Sequence, residues 1–299
     1  MMVLKKQIYD VAGHCFAVLM DESSFVWSRM SDSYGPFVTG SCSGHVLFSV
    51  RVNDSVESED LVLIYSNVKD QQPGFVRLSV FRTSGGYLFE FTQPSSSEVN
   101  CRLHIDDGFS NAALSLHGSD ICKWLSFNEA VKICYMMSTA AKDTLLIHAS
   151  AVRYQGRAYA FLGKSGTGKS THSRMWLSSL EDVDLINDDH PVLRIIDGAA
   201  YVFGSPWSGK TPCYRNVSAP LGGIVRIRQA SRNSICRLTP IESYASLMSS
   251  TVSMTWIADM ADGRDNALQK IVSEVACWTL DCLPDHDAAK ICSEAVTVL

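Results

Sequence analysis

The chain has 299 residues, 46% hydrophobic and 19% charged, with a formal net charge of −5, which suits one or two ordinary cores and excludes disorder, a collagen repeat and a coiled coil. Its longest uncharged apolar run, Val11 to Met20 between Asp10 and Asp21, is about half a membrane span and suits no signal peptide. A mildly acidic chain without a Lys/Arg cluster lacks the overall footprint of a nucleic-acid binder, so a soluble cytoplasmic protein with no membrane or nucleic-acid partner is expected.

Up to about Gly118 the apolar residues alternate, at Val46, Phe48 and Val50, at Tyr87, Phe89 and Phe91, and at Val99, Cys101, Leu103 and Ile105; that period predicts strands. Asp54 to Asp60 reads as polar loop. Val76 to Arg82 and Tyr87 to Phe91 flank Thr83-Ser84-Gly85-Gly86, a hairpin signal, and a β-rich antiparallel half is expected over residues 1–125. From Ser126 the period turns helical through Ala130, Ile133, Cys134, Met137 and Ala141, with Ser126 and Glu129 spaced as a capping box.

Strands and helices then alternate. Leu145 to Val152 and Ala158 to Leu162 read as buried strands, and Val183 to Asn187 as a short one. Thr239, Pro240 and Glu242 open a helix, and Leu268, Ile271, Val272 and Val275 mark another. A strand at Trp278 to Leu283 precedes a last helix carrying Ala288, Ile291, Cys292 and Ala295. This pattern predicts an α/β domain over residues 126–299. No repeat or low-complexity linker separates the halves, which is compatible with one continuous core. The ten cysteines form no C-x-x-C or paired knuckle, so no zinc site is expected, and they read as reduced thiols packed as small apolar residues.

The strongest chemical signal is Gly163-Lys164-Ser165-Gly166-Thr167-Gly168-Lys169-Ser170, a G-x-x-x-x-G-K-[ST] loop between an apolar strand and a helix. Its glycines let backbone N–H groups curl around phosphate oxygens, and the helix N-terminus adds partial positive charge. Lys169 would reach the β/γ-phosphates and Ser170 would bind Mg²⁺. Gly204-Ser205-Pro206-Trp207-Ser208-Gly209-Lys210-Thr211 fits the same expression. There Pro206 removes a donor, Trp207 crowds the concavity and Pro212 follows at once, so this second loop reads as a substrate or phosphate contact through Lys210.

Asp188 and Asp189 stand at a strand end eighteen residues after Ser170, where a Mg²⁺-holding carboxylate emerges beside a phosphate loop. Adjacent side chains on a strand point apart, which lets Asp188 face the metal and Asp189 face a hydroxyl as general base. His148, alone in an apolar run, reads on its own as a core histidine. Pro284-Asp285-His286-Asp287 has the composition of a metal cluster, but Asp285 fits better as a helix N-cap.

Ile147-His148-Ala149-Ser150-Ala151-Val152, the loop Gly163 to Ser170 and Ile186-Asn187-Asp188-Asp189 together resemble the catalytic domain of HPr kinase/phosphorylase, of the phosphoenolpyruvate-carboxykinase-like P-loop kinase fold. The second loop and Leu283-Pro284-Asp285 bring the chain nearer the HPr-kinase-related group that includes kinases of ribosomal peptides. The resemblance spans residues 144–299. It implies ATP at residues 163–171, phosphate and Mg²⁺ at Lys169 and Ser170, proton acceptance by Asp189 and a functional role for His148. Thr171 stands where that family has Glu, its glycine-rich signature is not found after the acid pair, and the N-terminal half is dissimilar, so the resemblance does not carry HPr as substrate.

The expectation is therefore an ATP- and Mg²⁺-dependent kinase acting on a hydroxyl of a protein, a peptide or a small metabolite, with a non-catalytic nucleotide sensor as the alternative. The partners are ATP and that acceptor, and a second copy of the chain is left open. Charge supports a Mg-nucleotide site. Arg153, Arg157, Lys164, Lys169 and Arg174 give residues 144–180 a local +5, and Glu181, Asp182, Asp184, Asp188 and Asp189 give residues 181–190 a local −5.

Overall fold

The computed structural model describes residues 4–42, 44–53, 55–67 and 76–297. The chain forms two compact units, Met1–Thr139 and Ala140–Leu299.

In the first unit β1 (Leu4–Val11) and β2 (His14–Asp21) pair antiparallel. Ser24 caps α1 (Phe25–Ser33), its hydroxyl accepting the Trp27 N–H at 3.1 Å. A 3₁₀ turn (Gly35–Phe37) then leads to β3 (Phe48–Asn53). β4 (Val62–Ser66), β5 (Arg77–Thr83), β6 (Gly86–Thr92), β7 (Cys101–Asp106) and β8 (Asn111–Leu116) follow as an antiparallel meander, its β5/β6 turn at Ser84-Gly85. α2 (Asp120–Thr139) packs on β3, β7, β8 and α1.

The eight strands lie in the order β1-β2-β3-β8-β7-β6-β5-β4. The expected antiparallel sheet is mixed, because β3 runs parallel to both β2 and β8. The long connection through α1 carries the chain back to its starting end, which a hairpin cannot do. Asp54 lies outside the described residues, and residues 55–60 carry neither helix nor strand.

α2 starts earlier than its apolar period suggests. The Ser119 hydroxyl accepts the Cys122 N–H at 3.4 Å, while Ser126 is buried mid-helix and accepts from Gln93 Nε2 at 3.0 Å. Because α2 lies on the first sheet, the division falls after Thr139 and not after Leu125.

The expectation of reduced thiols is corrected at one pair, since Cys15 and Cys42 form a disulfide. Thr39 N–H donates to Ile8 O at 3.0 Å and Leu47 N–H to Cys15 O at 2.8 Å, and this return of the chain brings the two Cα atoms within 6.1 Å. The other eight cysteines are free, and all but Cys236 are buried. No helix among the described residues is long and apolar enough to cross a membrane.

The second unit opens with β9 (Thr144–Ile147), β10 (Ala149–Tyr154), β11 (Arg157–Leu162), α3 (Lys169–Ser179) and β12 (Asp184–Asp189). β13 (Val192–Ile196), β14 (Ala199–Phe203), β15 (Ser218–Gln229), β16 (Ser234–Arg237), α4 (Pro240–Met248) and β17 (Thr251–Val252) follow. α5 (Ala258–Glu274), β18 (Cys277–Cys282) and α6 (His286–Thr297) complete it. The strand order is β12-β10-β11-β15-β14-β13-β9-β17, with β18 beside β15 and β16 beside β18.

The two-residue period of β11 sorts its faces. Ala158, Ala160 and Leu162 pack with Leu247 of α4 and Ala267, Leu268 and Ile271 of α5. Tyr159 and Phe161 pack with Trp176 of α3 and Ala288 and Cys292 of α6. Helices thus cover both faces of a mixed sheet, and the described chain as a whole is mixed α/β, with two mixed sheets and six α-helices. Thr239 and Glu242 make the expected capping box. Asp285 caps α6, accepting the Ala288 N–H at 2.9 Å, and His286 pairs with Ser179 Oγ at 2.7 Å, so the Pro284 to Asp287 cluster is a helix start.

Leu145 to Val152 is two strands, not one. β9 joins β13 and β17, whereas β10 joins β11 and β12 several places away in strand order. Both pieces are buried and apolar, so a hydrophobicity pattern cannot show the break, which falls at His148.

Candidate functional site

Strand direction builds the site. β11, β15 and β18 are parallel neighbours, and β12 runs the same way through its antiparallel pairing with β10. Their C-terminal ends, Leu162, Gln229, Cys282 and Asp189, therefore share one edge of the sheet, the usual place for ligands in open α/β sheets.

The glycine loop leaves β11 at that edge. Gly166 and Gly168 take φ +83 and +102, left-handed values that a side chain would strain, and Gly168 is the N-cap of α3. Thr167 Oγ1 donates to Lys164 O at 2.8 Å and Gln229 Nε2 donates to Gly166 O at 3.2 Å, bracing the turn. Lys164 and Ser165 lie exposed on the loop, and Ser170 and Thr171 half-buried in the first turn of α3. Lys169 is only 9% exposed, and its Nζ folds back to donate to Gly163 O at 2.9 Å and Lys164 O at 3.4 Å. Burial holds its pKa below the ordinary lysine value, opposed by the nearby carboxylates of Asp189 and Asp188.

Asp188 and Asp189 end β12, in register with Ser150 and Ala149 of β10. Asp188 is buried at 6% exposure. The Asp189 carboxylate lies between two histidines: Oδ1 is 3.5 Å from His148 Nε2 and Oδ2 is 2.9 Å from His190 Nδ1. The two rings stack with centroids 5.7 Å apart. His148, placed at the break between β9 and β10, donates its backbone N–H to Ser250 O at 2.7 Å.

The second glycine loop lies against this pair. Asn187, fully buried, donates to Ser205 O at 3.3 Å and to Cys213 O at 3.4 Å, and accepts the His190 N–H at 3.0 Å. Gly209 N–H donates to Asp188 O at 2.8 Å, and a Cβ on Gly209 would stand 3.1 Å from Asp188 O and 3.3 Å from Asp189 Cβ. Trp207 is buried, Lys210 is exposed, and no helix follows through residue 217. The fold thus gathers Lys169, Asp188, Asp189, His148 and both glycine loops on one edge.

Two neighbours escaped the sequence reading. His190 directly follows the acid pair, and that adjacency is the signal which points to it. Arg226 carries no such signal. It faces Lys169 electrostatically and donates to Ser246 Oγ at 2.7 Å, Ser249 Oγ at 2.7 Å and Ser250 Oγ at 3.1 Å, bracing the segment that holds His148.

The local charge blocks do not act whole. Asp184 is held by Arg153 at 2.8 Å and Arg215 at 2.7 Å. Partial burial pushes its carboxyl up, but hydrogen bonds from the two arginines outweigh that and hold it below the ordinary range. Arg153 is thereby engaged away from the loop. In α3, burial lowers the His172 pKa to about 4, and its Nε2 accepts the Trp176 indole N–H at 3.0 Å.

Among the described residues no group of three or more His, Cys, Asp or Glu side chains is arranged to hold a metal ion. Mg²⁺ does not require one, because it commonly takes one or two carboxylates and completes its shell with phosphate oxygens and water. No protein-family model matches the chain, and no curated protein matches it.

Proposed function

We propose that the second unit is an ATP- and Mg²⁺-dependent phosphotransferase of the phosphoenolpyruvate-carboxykinase-like P-loop fold, acting in the cytoplasm on a hydroxyl of a protein, a peptide or a small metabolite. The observation that carries this reading is the shared edge: a glycine loop with a buried lysine at the end of β11, and an acid pair with a histidine on each side of Asp189 at the end of β12.

In this reading the amides of residues 163–171 and the Lys169 amine bind the phosphates and stabilise charge on the group in transfer. Asp188 and Ser170 suit Mg²⁺, a hard cation that takes oxygen ligands, and the ion would neutralise phosphate charge. Asp189 accepts the proton of the acceptor hydroxyl. The hydroxyl oxygen forms a bond to the γ-phosphorus, the bond from that phosphorus to the β,γ-bridging oxygen breaks, and ADP leaves with the electron pair. His148 and His190 orient the carboxylate. Lys210, exposed beside the acid pair, is placed for a phosphate or acceptor contact.

The test is γ-labelled Mg-ATP with cell extract, with the phosphorylated acceptor identified by mass spectrometry. Wild-type protein should transfer label, and Asp189→Asn should bind ATP normally while losing transfer. If Mg-ATP raises the melting temperature but neither ADP nor phosphorylated product accumulates, the chain is a nucleotide sensor instead.

A further inference from the structure

The first unit has a strand-end edge of its own. β2, β3 and β8 are parallel neighbours, so their C-terminal ends, Asp21, Asn53 and Leu116, share one end of the first sheet, the end at which open sheets with crossover connections hold ligands. A cavity of about 310 Å³ opens there, beside the first turns of α1 and α2, a volume at the lower end of the range for small-ligand sites. All of its lining residues belong to the first unit.

The lining divides by chemistry. Met20, Val26, Val52 and Leu116 make an apolar wall, and Phe25 adds a ring that is 44% exposed. Lys123 lines the same space as the carboxylates of Asp21 and Asp120. These charges stay apart. Asp21 Oδ1 accepts the Ser23 N–H and the Ser23 hydroxyl, both at 3.0 Å. Among the described residues no ion pair joins Lys123 to either acid, although Glu129 and Lys132, at the same three-residue spacing on the same helix as Asp120 and Lys123, close to 2.7 Å.

We infer that this cavity binds a small zwitterion with an apolar body, of the class of the apolar α-amino acids. A simple anion there would face two carboxylates and a simple cation would face an ammonium, and such like-charge contacts select against both. A molecule carrying both charges sets its carboxylate on Lys123 and its ammonium on Asp120 or Asp21 as charge-assisted hydrogen bonds. Its side chain then lies on the wall and removes the exposed face of Phe25 from water. The inference is independent of the phosphotransferase reading, since the site uses no residue of the second unit.

Calorimetry on the full chain with L-leucine and L-phenylalanine tests this, beside three probes that each lack one feature: glycine without the apolar body, isocaproate without the ammonium and isoamylamine without the carboxylate. At least one of the two amino acids should bind, and each probe should bind at least about tenfold more weakly. Lys123→Met keeps an unbranched apolar stem and removes the cation. It should weaken the amino acid at least about tenfold and leave isoamylamine no weaker. Asp21→Asn and Asp120→Asn, made together, should weaken the amino acid to the same extent and leave isocaproate no weaker. Absence of binding by both amino acids at millimolar concentration overturns the site. So does a one-charge probe that binds as tightly as the amino acid, or an amino-acid affinity that neither variant moves. Mg-ATP binding by the wild-type chain reports on the second unit separately, so failure of this site and failure of the phosphotransferase reading are told apart.

Discussion

Two stretches of this chain satisfy the same eight-residue expression, and they fold into different objects. Residues 163–170 turn from a buried strand into α3, with Gly166 and Gly168 at positive φ and Lys169 folded over the loop. Residues 204–211 are pinned by Asn187 and pressed by Gly209 onto the acid pair, with Trp207 buried and no helix behind. The pattern specifies residue types, but a phosphate cradle needs free amides, a helix N-terminus and room for the anion. Only the first loop runs straight into a helix, and the second lies against the acid pair at the same edge.

Truncating the first loop's lysine tests the contrast most severely. Lys169→Ala should lower the phosphotransfer rate by roughly 10²–10³-fold, the scale for removing one preorganised charge-stabilising donor. An unchanged rate would sink the assignment of the first loop.

Acid probes the helix that only the first loop possesses. The His172 pKa is depressed from 6.5 to about 4, so between those values the unfolded chain binds more protons than the folded one. Stability is full above pH 6.5 and falls as pH drops through that window, by about 3 kcal/mol at its foot. Denaturant midpoints against pH should show this slope. His172→Gln keeps an acceptor for Trp176 and should flatten the slope, whereas a slope unchanged in the variant would assign the acid sensitivity to other groups.

Gly209 probes the second loop. Its Cβ space is already filled by Asp188 and Asp189, and Gly209→Val should cost about 1–3 kcal/mol by overpacking. Transfer should fall while ATP affinity stays within about twofold, a split that steady-state kinetics and calorimetry together resolve. Equal loss of both would mean that the second loop belongs to the nucleotide cradle.

Lys210→Ala should have the smallest effect. An exposed cation acting on a bound phosphate or acceptor should raise KM by less than about tenfold and leave kcat nearly unchanged. A fall in kcat comparable to that of Lys169→Ala would erase the distinction between the loops.

Local patterns were enough for much of this protein. The glycine loop between β11 and α3, the acid pair, the β5/β6 hairpin, the Thr239 capping box and the Asp285 cap all rest on residues a few positions apart, and short-range sterics and hydrogen bonding decide such features. Long-range pairing decided the rest. The break at His148, the parallel course of β3 and the meeting of Cys15 with Cys42 depend on strand neighbours that no local period encodes. So does the division of charge: the acid and base blocks are plain in the sequence, but tertiary contacts commit Arg153 to Asp184 and leave Lys169 beside Asp188 and Asp189. Chain order could name the chemical groups. Only folding could set His190 against Asp189 opposite His148 and open a cavity at the ends of β2, β3 and β8, because both depend on which strands become neighbours and in which direction they run.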